Sequence, residues 1–175
     1  MKILYTGGAK GADLVFEAAA LKAGYEVHAF SFSGHKSHSK CLLKLGDSEL
    51  NLAIPFVTNA AKRLGKNIPA PGHIRNLLLR NYYQVKDTEA VFAVSTFNVA
   101  TNTIAGGTGW AVEMAIELKK PVFVYDQLRK LWIQFIDHKW QRSLWVPSIQ
   151  AYDKITGIGS REINEFGINA INELF

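Results

Sequence analysis

Ala90-Val91-Phe92-Ala93-Val94-Ser95 is an uninterrupted apolar run closed by a serine, and it decides the fold. A strand with one wet face alternates apolar and polar residues, whereas a run apolar on both faces belongs to a central parallel strand covered on both sides. Upstream, Ile74, Leu77, Leu78 and Tyr82 are spaced for one helix face over about 73–86. Downstream, a glycine-rich turn at 105–109 opens a helix to Leu118, and Pro121–Tyr125 is another buried strand. Nearer the start, Ile3–Thr6 is a β-branched and aromatic run that ends in Gly7-Gly8. Residues 12–23 carry Leu14, Val15, Ala18 and Leu21 at helical spacing until Gly24, and Val27–Phe32 is a strand. Residues 48–65 read as a helix and Asn67–Gly72 as a loop. Strands alternating with helices mean a parallel sheet with helices on both faces.

From 128 onward the pattern loosens. Leu131–Ile136 and Leu144–Ile149 read as two extended segments at a sheet edge. Ile163, Phe166, Ala170, Ile171 and Leu174 stripe a closing helix, with Ser160 as its expected N-cap. The expectation is one three-layer, Rossmann-like α/β domain over residues 1–175, with a mainly parallel sheet.

Composition agrees with that reading and narrows the function. At 175 residues the chain fits one domain, and 48% hydrophobic against 20% charged residues excludes a disordered chain. The apolar runs are short and interrupted by charge, so no membrane span is expected. Met1–Thr6 passes straight into glycines without a signal-peptide pattern. The single cysteine, Cys41, cannot form an internal disulfide, which points to the reducing cytoplasm. A net charge of +5 and a pI near 9.3 favour anionic partners, nucleotide or nucleic acid alike.

Ligands of such sheets bind beyond the carboxyl ends of the strands, so the strand-to-helix turns carry the candidate chemistry. The first is Thr6-Gly7-Gly8-Ala9-Lys10-Gly11-Ala12-Asp13, where glycines admit a phosphate close to the backbone and Lys10 adds a point charge. It is neither a dinucleotide fingerprint nor a P-loop, and a plain tight turn with Asp13 in the first helical turn is the competing reading. The second is Ala105-Gly106-Gly107-Thr108-Gly109-Trp110-Ala111-Val112-Glu113, with Glu113 about one turn into the helix. Its carboxylate suits a ribose hydroxyl or acid/base work, or it merely complements the helix dipole. The third is Arg75-Asn76, where Arg75 forks onto a phosphate or carboxylate and Asn76 reads a base or ribose, unless both are a solvated helix start.

Gly7-Gly8-Ala9-Lys10-Gly11-Ala12-Asp13 resembles the Gly-Gly-Ala-Arg-Gly-x-Asp loop of the SLOG superfamily, which unites DNA-processing protein A with the LONELY GUY phosphoribohydrolases. Gly106–Glu113 is similar to the Gly-Gly-x-Gly-Thr-x-x-Glu motif of the phosphoribohydrolases, and Arg75-Asn76 to the Arg-Asn of the DNA-processing branch. The resemblance covers residues 1–126. It implies binding of a phosphorylated nucleoside or an ADP-ribose-type metabolite by Gly7, Gly8, Lys10, Gly11, Asp13, Arg75, Asn76, Gly106, Gly107, Thr108, Gly109, Trp110 and Glu113. The alternative it implies is hydrolysis of the N-glycosidic bond of a nucleoside monophosphate, with Arg75 fixing the substrate and Glu113 acting at the glycosidic centre. A DNA-binding module is the further alternative. Trp110 stands where the phosphoribohydrolases have threonine, and Asn76 where they have lysine, which favours binding over hydrolysis. No cofactor is implied.

Two other groups of residues compete for a role. His35, His38 and Cys41 recur at three-residue steps but have no fourth ligand nearby, since Asp47 lies too far along, so no metal is assigned. With Lys36, Lys40 and Lys44 the segment reads as a mobile basic loop over the pocket or a solvated face. Trp132, Phe135, Trp140 and Trp145 interleave with Lys130, Lys139 and Arg142. That pattern suits stacking on single-stranded bases, but a packed hairpin or subunit interface is the stronger reading, with a homo-oligomer expected.

Overall fold

Ser95 closes a strand that is buried along its whole length in the computed structural model, which describes residues 1–175. In chain order the elements are β1 (Ile3–Thr6), α1 (Ala12–Lys22), β2 (Glu26–Phe32), β3 (Leu42–Leu45), α2 (Asp47–Leu52), α3 (Ile54–Leu64) and α4 (His73–Val85). There follow β4 (Ala90–Ser95), the small hairpin β5 (Phe97–Asn98) and β6 (Thr103–Ile104), α5 (Gly106–Glu117) and β7 (Val122–Asp126). The chain ends in β8 (Leu131–Ile136), β9 (Lys139–Arg142), β10 (Lys154–Gly159) and α6 (Glu165–Asn172). One eight-stranded sheet runs in the order β3-β2-β1-β10-β4-β7-β8-β9. It is parallel from β3 to β7 and antiparallel from there through β8 to β9.

Both faces of β4 are apolar because helices cover both. Val91 and Ala93 point into a core shared with Leu50, Val57, Leu79 and Val112 of α2 to α5. Ala90, Phe92 and Val94 point the other way, onto Phe16 of α1 and Ala170 and Ile171 of α6. This is the three-layer, Rossmann-like α/β architecture expected.

Several local expectations are corrected. The segment around Gly157-Ile158-Gly159 is β10, a fully interior strand between β1 and β4, and not a lead-in to the last helix. Its glycines are packing requirements: a Cβ at Gly157 would lie 2.5 Å from the Phe16 ring. Ser160 therefore ends a strand, donating its amide to Val94 O, while Asn164 caps α6 by accepting from the Gly167 amide at 2.9 Å. The helix expected over 48–65 is divided at Ala53, where Pro55 sits in the first turn of α3. β8 pairs with β9 across a turn at Asp137-His138, both at positive φ as tight hairpins demand, and Leu144–Ile149 forms no strand. Leu42–Leu45, expected within or beside a loop, forms the parallel edge strand β3.

Candidate functional site

The chain leaves β1 toward β2 and β3, and leaves β4 in the opposite direction toward β7. The reversal opens a crevice at the carboxyl ends of β1, β10 and β4. A cavity of about 650 Å³ occupies it. Ala9, Pro69, Ile74, Leu77, Leu78, Trp110 and Ile158 supply apolar wall, and Asp13, Arg80, Asn81, Arg161 and Glu162, with Thr96, Gln127 and Ser160, the polar side beside Gly106–Thr108.

At its base lies a buried ion pair. Asp13, only 3% exposed, accepts hydrogen bonds from the amides of Gly7 (3.2 Å) and Ala9 (3.4 Å) through Oδ2, and from Gly159 (3.1 Å) through Oδ1. It thereby ties the first glycine turn to the end of β10. Arg80 of α4, 5% exposed, faces it at a loose 3.9 Å, and its Nε and Nη1 have no hydrogen-bond partner. The guanidinium fills the space where Gly7 would carry a Cβ, 1.3 Å from that position, so glycine is required there by the arginine. Burial pushes the Asp13 carboxyl up, against the opposing pull of Arg80 and three amides. Burial likewise lowers Arg80, with Asp13 opposing and the nearby Arg161 adding to the fall.

The second glycine turn forms the opposite wall. No side chain caps α5, and Gly106, Gly107 and Thr108 at its start line the cavity. Asn81 fixes this turn by donating to Gly107 O at 3.2 Å, and is itself held by Gln84 at 3.0 Å. Free helix-terminal amides beside a desolvated guanidinium can receive an anion.

The residues singled out from sequence distribute unevenly. Asp13, Gly106, Gly107, Thr108 and Trp110 line the cavity. Gly7 and Gly8 lie buried behind it, with two of the first turn's amides, those of Gly7 and Ala9, taken by Asp13. Lys10 is exposed and borders an adjoining pocket. Gly11 opens α1, and Gly109 packs against the backbone of Ile104. Arg75 and Asn76 are half-buried on α4 and lie outside the cavity lining. Glu113 also lies outside it: its carboxylate turns to Arg63 of α3 at 3.4 Å, and Arg63 also bonds Glu117 at 2.9 Å. Burial raises the Glu113 carboxyl and Arg63 opposes the rise.

Sequence reasoning missed Arg80, Asn81 and Arg161. The signal for the first two was present as a second Arg-Asn pair, five residues after the first on the same helix. Of the other groups, His35 stacks on Phe32 (5.1 Å, 13°) while Cys41 packs toward the α1 face of the sheet. Trp132 is core, Phe135 and Trp140 pack edge to face at 5.2 Å, and Trp145 is 80% exposed.

Fold and site together define a three-layer α/β protein whose strand ends hold a partly apolar cavity lined by two arginines, Arg80 and Arg161, and two carboxylates, Asp13 and Glu162. No family model and no curated protein sequence matches the chain. Among solved structures it is similar to that of a candidate molybdenum carrier protein from Syntrophus aciditrophicus SB, at 15% identity and a TM-score of 0.56. The match covers 99% of this chain and 90% of that one, and at this identity it speaks to the fold alone. No helix is long and apolar enough to cross a membrane.

Proposed function

We propose that the protein binds a phosphorylated nucleoside or ADP-ribose-type metabolite in this cavity, as the SLOG resemblance implies. The observation that carries the reading is Arg80, a buried cation with two unpartnered N–H groups beside the uncapped start of α5. A phosphate in the cavity is attracted by that charge and by the positive end of α5. The apolar wall of Ile74, Leu77, Leu78 and Trp110 suits a base, and about 650 Å³ lies within the range of small-molecule sites. Glu113 belongs to the Arg63 ion pair, which supports binding over hydrolysis of a glycosidic bond. Homo-oligomerisation and a cytoplasmic location remain part of this reading.

Calorimetry against mononucleotides, dinucleotides and ADP-ribose, on wild type and Arg80→Met, tests it. Binding is expected to one class of nucleotide, lost by at least about tenfold in the variant. Silence of the folded wild type across the panel overturns the reading, as does equal affinity in Arg80→Met.

A further inference from the structure

Beside the main cavity lies an annex of about 550 Å³, and the two share Ala9 and Arg161 as a common wall. Every ionisable side chain that lines the annex is basic: Lys10, Lys36, Arg161, His35, His38 and His73. No carboxylate lines it. Like charges gathered without a counter-charge oppose folding, so the arrangement is not a stability device.

The annex is built rather than incidental. The loop after β2 docks onto the first glycine turn, with Ser37 Oγ and the His38 amide both donating to Gly8 O at 3.0 Å. His35 is held between Phe32 and the hydroxyl of Ser31, which lies 3.1 Å from its Nδ1. On the far side Arg161 is set by Gly11, whose missing Cβ lets the backbone of 160–161 cross the start of α1. Ala12 then donates its amide to Ser160 O at 3.0 Å. Arg161 bridges the two spaces electrostatically: its charge depresses both Arg80 in the cavity and His35 in the annex. Because Asp13 occupies the Gly7 and Ala9 amides, an anion here meets side chains and not a backbone cradle.

We propose that the annex is a second anion subsite and that the ligand is a diphosphate, with one phosphoryl group at Arg80 and α5 and the other among Lys10, Lys36, His38 and Arg161. The proposal rests on the nucleotide-binding reading and narrows it from monophosphates to diphosphate-linked ligands.

Inorganic phosphate and inorganic pyrophosphate test it without a choice of base. Their affinities are measured by calorimetry on wild type, Arg80→Met, a Lys10→Ala/Lys36→Ala/His38→Ala variant, and a Lys22→Ala/Lys62→Ala control. All five altered lysine and histidine positions are exposed, so folding is preserved. Wild type is expected to prefer pyrophosphate by more than about tenfold, from the added charged hydrogen bonds. The annex variant is expected to lose most of that preference and keep its phosphate affinity, while the control keeps both. Absence of the preference in wild type overturns the proposal, as does an equal change in annex variant and control. If the annex variant behaves as expected but Arg80→Met leaves phosphate binding intact, the main-site reading fails instead.

Discussion

Removing one or the other partner of the Asp13–Arg80 pair is expected to have unequal consequences for stability, and the difference follows from who satisfies whom. At 3.9 Å the two charges attract by about 4 kcal/mol at an effective dielectric constant near 20. Arg80 sets against this several kcal/mol of desolvation and two unpartnered N–H groups at about 1–3 kcal/mol each. Arg80→Met keeps the unbranched apolar stem, removes the guanidinium and leaves Asp13 with its three amide donors. The expected cost is therefore within about 2 kcal/mol of zero. Asp13→Asn leaves a buried guanidinium uncompensated and turns an amide NH2 toward N–H donors, so about 3–5 kcal/mol is expected. That is a large share of the roughly 5–15 kcal/mol typical of a domain. Urea unfolding followed by tryptophan fluorescence reads both numbers. Arg80→Met costing more than about 3 kcal/mol, or costing more than Asp13→Asn, would refute the reasoning and make Arg80 a structural residue.

Gly7→Ala places a methyl within 1.3 Å of Arg80 Nη1 and 2.7 Å of Asp13 Oδ2, so it is expected to cost about 1–3 kcal/mol and to weaken anion binding; denaturation and calorimetry read the two effects. Glu113→Gln is expected to leave ligand affinity within about twofold of wild type, because its carboxylate belongs to the Arg63 pair away from the cavity. The raised Glu113 carboxyl contributes stability that is present below its ordinary 4.5 and lost as pH rises through its folded value, so Gln is expected to flatten that fall in urea titrations above pH 4.5. His35 is lowered from 6.5 to about 4 by burial and by Arg80, His73, Arg161 and His38, so it stays neutral in the folded protein. Stability of the free protein is expected to fall as pH drops from 6.5 toward 4, less so in His35→Asn, and pyrophosphate binding near pH 5 is expected to take up protons in calorimetry across buffers.

The framework of the sheet was legible because β4 and β7 carry apolar runs buried on both faces, and β1 and β2 are short stretches rich in β-branched and aromatic residues between turn signals. β10 was not, although it is as interior as β4. Lys154-Ile155-Thr156-Gly157-Ile158-Gly159 carries too few large apolar residues to announce a core strand. The reason is spatial: α1 crosses β10 so closely that Phe16 and Ala12 occupy the volume side chains at 157 and 159 would need. Its hydrophobic content resides in the neighbouring helix, where no reading of the strand alone can find it. The same insertion makes the site, since Gly159, Ser160 and Arg161 reach the cavity only from a strand between β1 and β4.

The candidate site was legible at its glycine turns and illegible on α4, for a reason of helical phase. Ile74, Leu77 and Leu78 read as one apolar face of a core-facing helix, yet all three line the cavity, and Ile74 is 61% exposed. Extending that stripe by its own period arrives at Asn81, with Arg80 on its flank, whereas Arg75 and Asn76 lie outside the lining. The second Arg-Asn pair is the one that reaches the glycine turns, because it lies on the cavity side of the helix. Burial separates the two pairs energetically as well. Arg75 and Asn76 are half-buried, but Arg80 lies 5% exposed with two donors unpartnered, and Asn81 spends its amide holding the turn at Gly107. Folding alone gives no return for a desolvated, half-satisfied guanidinium, since an apolar side chain of its size would serve the core as well. Under the proposed function, an anion in the cavity supplies compensating charge.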